Sequence, residues 1–99
     1  ETIPQLLARS VERFGDKHAI EDGNITLTFK QLQSAAHKAT RALMACGIEK
    51  GDRVAIWAPN VWEWVVAALG IHGAGGVLVP INTRFKGTEA SYVLSSNAN

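Results

Sequence analysis

With 99 residues the chain can hold one small domain or a slice of a bigger one, but not two domains. Its 46% hydrophobic and 19% charged residues are the balance of an ordinary globular fold. Ten Lys and Arg against nine Asp and Glu leave a net charge of +1, which is no electrostatic footprint for nucleic acid or an acidic membrane surface.

A single Cys cannot form an internal disulfide, so nothing points to an oxidising compartment. Glu1-Thr2-Ile3-Pro4 carries no basic start followed by an apolar run, so no signal peptide is visible. The uncharged stretch after Glu63 is broken by Gly70, Gly73, Gly75, Gly76 and Pro80, too interrupted for a spanning helix. The expectation is a soluble, cytoplasmic protein with no transmembrane segment.

In chain order, Ile3, Leu6, Leu7, Val11 and Phe14 recur at helical spacing, with Gln5, Arg9, Glu12 and Arg13 off that stripe. Thr2 and Gln5 have the spacing of a capping box, Pro4 suits a first turn, and Gly15 is expected to end the helix in a left-handed conformation. Ala19-Ile20-Glu21 and Ile25-Thr26-Leu27-Thr28 flank Asp22-Gly23-Asn24 and predict a β-hairpin.

Thr28 with Gln31 then opens a second helix. Phe29, Leu32, Ala36, Ala39, Leu43 and Cys46 share one stripe, and Lys30, Gln33, His37, Lys38 and Arg41 lie off it. The small alanines on the apolar face predict close packing against a sheet. Gly47 follows as the residue after the cap, with Ile48 folding back on the last turn.

From Arg53 the character changes. Val54-Ala55-Ile56-Trp57-Ala58 is the near-continuous apolar run of a parallel strand covered on both faces. Asn60, answered by Glu63, predicts the start of a helix over 61–73 that is apolar almost all round and therefore buried on most sides. Val77-Leu78-Val79-Pro80 predicts another buried strand, and Thr88 to Ser95 a last helix with Tyr92, Val93 and Leu94 turned inward.

This order predicts an α/β fold: the incomplete N-terminal part of a layered α/β/α domain, with a hairpin, helices packed on the sheet and a right-handed βαβ unit. The chain opens without Met and stops soon after its last helix, so the expectation is that residues 1–99 are a piece of a larger domain rather than a complete one.

Few residues invite a chemical reading. Gly73-Ala74-Gly75-Gly76 follows a helix and precedes a strand. That is the wrong polarity for a phosphate loop, which needs a helix N-terminus, so it reads as a turn. His18, His37 and His72 lie in different elements and have no metal-site spacing, and His72 is expected to be a buried, satisfied histidine. Cys46 reads as a small inert core residue. Trp57, Trp62 and Trp64 gather around a strand end and a helix start, either as core packing or as the wall of an apolar substrate channel.

Gly51-Asp52-Arg53-Val54-Ala55-Ile56, followed by Pro59-Asn60 with Glu63, resembles the front of adenylate-forming acyl-CoA synthetases. So do Ala74-Gly75-Gly76, Val79-Pro80-Ile81-Asn82-Thr83-Arg84, Glu89 with Tyr92 and Leu94, and the upstream Thr28-Phe29-Lys30-Gln31-Leu32. The resemblance runs from Thr2 to Ala98. Ala55-Ile56-Trp57, Trp62-Glu63-Trp64-Val65-Val66 and Ile71-His72 look most like bacterial members that load fatty acids or steroid breakdown acids. The departures are mild: Gly76-Val77-Leu78, where alanine and valine are more usual, and Phe85-Lys86-Gly87 in a variable loop.

The resemblance implies a two-step ligation with ATP, Mg²⁺ and coenzyme A as reactants alongside a small-molecule hydrophobic carboxylic acid. It also implies that the phosphate loop, the nucleotide contacts and the catalytic lysine lie outside this stretch. No residue here is therefore assigned a catalytic, cofactor-binding or metal-binding role, no cofactor is expected on these residues alone, and oligomeric state is left open. Asn82, Thr83 and Arg84 match a family motif but read first as a turn held by side-chain hydrogen bonds. Two further readings stay open: part of an amino-acid-activating adenylation domain, and a non-catalytic α/β module that binds a partner through an open sheet edge.

Overall fold

The structure is a computed structural model that describes residues 1–79 and, for their backbone, 91–95. Helix α1 spans Ile3–Phe14, strands β1 and β2 span His18–Asp22 and Ile25–Thr28, and helix α2 spans Phe29–Ala45. Strand β3 is Arg53–Trp57, helix α3 Val61–Gly73, strand β4 Val77–Val79 and strand β5 Ser91–Ser95.

Local chemistry sets the helix ends. At α1 the Thr2 hydroxyl accepts from the Gln5 N–H at 3.2 Å while the Gln5 side chain accepts from the Thr2 N–H at 2.8 Å. Thr28 and Gln31 repeat this reciprocal box at α2, at 3.1 and 2.8 Å. We expect Thr28→Ala to lower stability by about 1 kcal/mol, because it leaves one helix-start amide without its partner. A urea midpoint equal to wild type would refute it.

At the far end of α2, Gly47 (φ 97°) lets the chain turn back: its N–H donates to the Met44 carbonyl and the Ile48 N–H to the Leu43 carbonyl. Ile48 is thereby delivered into the core beside Leu43. Gly75 (φ 80°) does the same for α3, with Gly76 N–H donating to the Ile71 carbonyl, so the glycine cluster is a helix-to-strand turn as its polarity predicts.

Gly15 is different. It sits in the right-handed region (φ −45°, ψ −41°) and is glycine because a Cβ there would meet the Val11 carbonyl oxygen at 2.8 Å and Lys30 Cε at 2.9 Å. The hairpin turns through Gly23-Asn24, with positive φ at Gly23 only, the arrangement of a II′ turn.

β3 is central, with β4 and β5 hydrogen-bonded on either side, both parallel to it. The β3–α3–β4 unit is the predicted βαβ connection. Alternation along β3 sends Val54 and Ile56 into a cluster with Leu43, Ile48, Ala68 and Ile71, where Ala58, Ala67, Ala74 and Leu78 also pack. Ala55, on the opposite face of β3, is 2% exposed, so the centre of the strand is covered on both faces as its apolar run predicts, while Trp57 at its end is 48% exposed.

Helix α3 lies against β3 and β4, α2 packs chiefly on α3, and α1 rests against both helices. The alanines of α2 therefore meet a helix, not a sheet. Helix α3, apolar almost all round, touches β1, β3, β4, α1 and α2 and is covered on most sides as predicted: Ala68, Gly70 and Ile71 are buried, while Val61 and Trp64 in its first turn are exposed.

The last predicted helix is not formed over Ser91–Ser95, which is strand β5 in register with β3. Tyr and Val favour a strand, and pairing along the edge of β3 outweighs the helical spacing of the apolar residues. Residues 88–90 lie outside the described residues. No described helix is long and apolar enough to cross a membrane.

Candidate functional site

The parallel strands β3 and β4 end on the side where α3 begins, and ligands of open α/β sheets gather beyond such carboxyl ends. β3 ends in Trp57, and Ala58-Pro59-Asn60 carries the chain to the N-terminus of α3. Three large apolar side chains stand out there: Trp57, Val61 and Trp64, between 42% and 65% exposed. Trp62, half-buried, turns the other way and lines a shallow cleft of ≈ 220 Å³ with Ala39, Glu63, Val66 and Ala67. Trp57 and Trp64 are thus not core residues among the described part: both are exposed, one at the end of β3 and the other in the first turn of α3.

The start of α3 departs from its expected cap. Asn60 has the extended backbone of an N-cap, but its side chain makes no cap bond; its Nδ2 donates to Glu63 Oε1 at 2.6 Å. The free amide of Trp62 donates instead to Asp22 Oδ2 at 3.0 Å, a carboxylate from the hairpin 40 residues earlier. Helix starts favour negative charge, and here Asp22 and Glu63 supply it from within the chain. The place that a phosphate would take is filled by the protein's own carboxylate.

Elsewhere the candidates stay apart. His18 Nδ1 lies 3.0 Å from Glu21 Oε1 on the exposed face of the hairpin, and His37 is exposed on α2. His72 is exposed rather than buried, because it falls on the outer side of α3. Cys46 is exposed at the end of α2 and is not a core residue, since the helix ends there and Ile48 takes the inward position. Among the described residues, no three side chains of the metal-ligating types come together. Asn82, Thr83 and Arg84 lie outside the described residues.

Other concavities lie among the described residues. A pocket of ≈ 330 Å³ at the end of α1 mixes Arg13, Lys17 and Lys30 with Glu12 and Asp16. An apolar groove of ≈ 240 Å³ runs between α1 and the other two helices. The Asp22 bond is the feature that sequence reading missed, because nothing local marks a carboxylate that caps a helix so far along the chain.

A family model described as AMP-binding enzyme matches residues 7–98. The chain belongs to that family. Over 93 residues it is 48% identical to a protein of Rhodococcus jostii named 3-[(3aS,4S,7aS)-7a-methyl-1,5-dioxo-octahydro-1H-inden-4-yl]propanoyl:CoA ligase, covering 94% of this chain and 18% of that protein. A Mycobacterium tuberculosis protein of the same name is 46% identical over the same coverage. Among solved structures, a Mycobacterium tuberculosis fatty acyl CoA synthetase superposes with a TM-score of 0.76 at 32% identity, over 85% of this chain and 17% of that one.

The chain thus spans under a fifth of the length of the relatives it matches.

Proposed function

We propose that the protein carrying this chain is an ATP-dependent acyl-CoA ligase for a hydrophobic carboxylic acid, and that residues 1–99 are part of its large N-terminal domain. The observation that carries this reading is the 48% identity, across 94% of the chain, to a protein named as a propanoyl:CoA ligase for a fused-ring acid. In such a ligation a carboxylate oxygen attacks the α-phosphorus of ATP, giving an acyl-adenylate and pyrophosphate. The thiol of coenzyme A then attacks the acyl carbon and AMP leaves.

The described residues do not fit the phosphate end of this reaction. The α3 N-terminus is occupied by Asp22, and the glycine turn faces the wrong end of its helix. We therefore assign the Mg-ATP and coenzyme A chemistry to the rest of the polypeptide, and to this chain the scaffold and an apolar wall at the strand ends. A cytoplasmic setting belongs to the same proposal. Both the fused-ring acids named for the curated relatives and ordinary fatty acids are apolar enough to lie against Trp57.

Pyrophosphate exchange and hydroxamate trapping with the full-length protein test the reading, across fused-ring propanoates, medium-chain and long-chain acids, and amino acids. Exchange is expected with the apolar acids and strongest with the fused-ring set. Exchange with amino acids alone would replace the ligase by an amino-acid-activating adenylation domain. No exchange with any acid, from folded protein, would leave a non-catalytic module. For the chain by itself, calorimetric titration with Mg-ATP is expected to show no saturable site, and a micromolar site would overturn the scaffold assignment.

A further inference from the structure

We infer that Asp22 is a positioning residue for the acid substrate: from the tip of the hairpin it ties down the exposed start of α3 and, through it, the loop that joins α3 to Trp57. The inference rests on the ligase reading above and adds to it a residue outside the strand ends. Asp22 is held in place twice over. It closes the hairpin opposite Ile25 as the last residue of β1, and its Oδ2 accepts the Trp62 N–H at 3.0 Å in a partly buried setting. A carboxylate on an amide at a helix start is a charge-assisted bond in the field of the helix dipole.

The local residue that could have done the same work does not: Asn60 makes no cap bond, and its Nδ2 donates to Glu63 Oε1. Loop 58–60 is therefore strung between the end of β3 and a helix start whose cap belongs to another element. Trp57, Val61 and Trp64, exposed on either side of that loop, are the apolar wall that the ligase reading offers to the acid. Releasing the cap lets this surface drift relative to the sheet, and the fraction of protein ready to take the acid falls. Apparent affinity falls by that same fraction.

The test uses the full-length protein with Asp22→Ala and Asp22→Asn, because asparagine keeps a cap oxygen at the same reach and loses only the charge. Amide hydrogen exchange at Trp62 to Trp64 is expected to quicken in Asp22→Ala and return close to wild type in Asp22→Asn. In turnover, KM for the acid is expected to rise in Asp22→Ala, by up to about thirtyfold, the equilibrium factor a lost cap can represent. KM for ATP and kcat are expected to stay put, with Asp22→Asn restoring most of the acid KM.

If the alanine variant does not accumulate, Asp22→Ser, whose oxygen stands further back, takes its place. Unchanged exchange at α3 would overturn the tie itself. Faster exchange with an unmoved acid KM, or with acid and ATP KM rising together, would reduce Asp22 to a structural cap. A wild-type protein that activates no hydrophobic acid would instead remove the ligase reading on which the inference stands, and that result is read before any variant is made.

Discussion

Truncating Ile71 to alanine is expected to cost about 2–5 kcal/mol of stability. Ile71 has 0% of its surface exposed and sits among Leu43, Ile48, Val54, Ile56 and Ala68 at the junction of α3, the end of α2 and β3. Removing its outer carbons forfeits their burial and leaves a space that the neighbours cannot readily close, because they are fixed on α2, the turn after it, β3 and α3.

Its backbone stays engaged throughout, since the Ile71 carbonyl accepts from the Gly76 N–H at 2.9 Å. The loss is therefore a side-chain packing effect and not a turn effect. Ile71→Val should cost only about 0.5–1.5 kcal/mol. Val61→Ala, at a site 65% exposed, should stay within about 0.5 kcal/mol. Leu43→Ala, 6% exposed in the same cluster, should fall in the same about 2–5 kcal/mol range as Ile71→Ala. Urea midpoints of the full-length variants give the ranking. An Ile71→Ala loss no larger than that of Val61→Ala would mean the cluster is not the core.

Where local chemistry decides, the fold was legible. Thr2–Gln5 and Thr28–Gln31 each form the reciprocal bonds their spacing predicts, and Gly47 and Gly75 take the left-handed conformation that ends a helix. The βαβ unit followed from apolar runs and their order. Failures came where a distant element decides. Gly15 is small to admit Lys30, not to adopt positive φ. Cys46 and His72 lie on apolar segments yet face outward, since helix spacing identifies a stripe but not which residues at its margin find a partner.

Ser91–Ser95 shows the same limit for strands. Its apolar spacing is compatible with a helix, and only the edge offered by β3 makes it β5. The site was less legible than the fold. The tryptophans were visible as a group, but Asp22 reaches Trp62 across 40 residues and leaves no local signature. The family motifs located the scaffold, and by the same token marked no residue of this chain as chemically reactive.

Helix-to-helix contact supplies the second large effect. Gly70→Ala is expected to destabilise by about 1–3 kcal/mol, against the trend that replacing glycine by alanine inside a helix gains about 1 kcal/mol. A Cβ at Gly70 would stand 2.6 Å from Ala39 Cβ and 3.3 Å from the Ala39 carbonyl carbon and the Thr40 nitrogen. Those atoms are backbone or bonded directly to it, so no side-chain rotation clears the way, and α2 as a whole must move off α3. One turn along, a Cβ at Gly73 would run into Thr40 Oγ1. The two helices meet on glycine, alanine and threonine at close range.

That approach also holds a hydrogen bond, because the Thr40 hydroxyl donates to the Gly70 carbonyl at 2.9 Å, partly buried. Separation would stretch it, which adds about 0.5–1.5 kcal/mol to the packing cost. The clash has one principal partner, so it should be relieved by Ala39→Gly. That change alone costs about 1 kcal/mol in helix propensity, yet the double variant is expected to be less destabilised than the sum of the two singles by about 1 kcal/mol or more. A Gly70→Ala protein more stable than wild type would show that propensity wins and that α2 and α3 are free to part. Strict additivity with Ala39→Gly would show that the cost arises somewhere other than this contact.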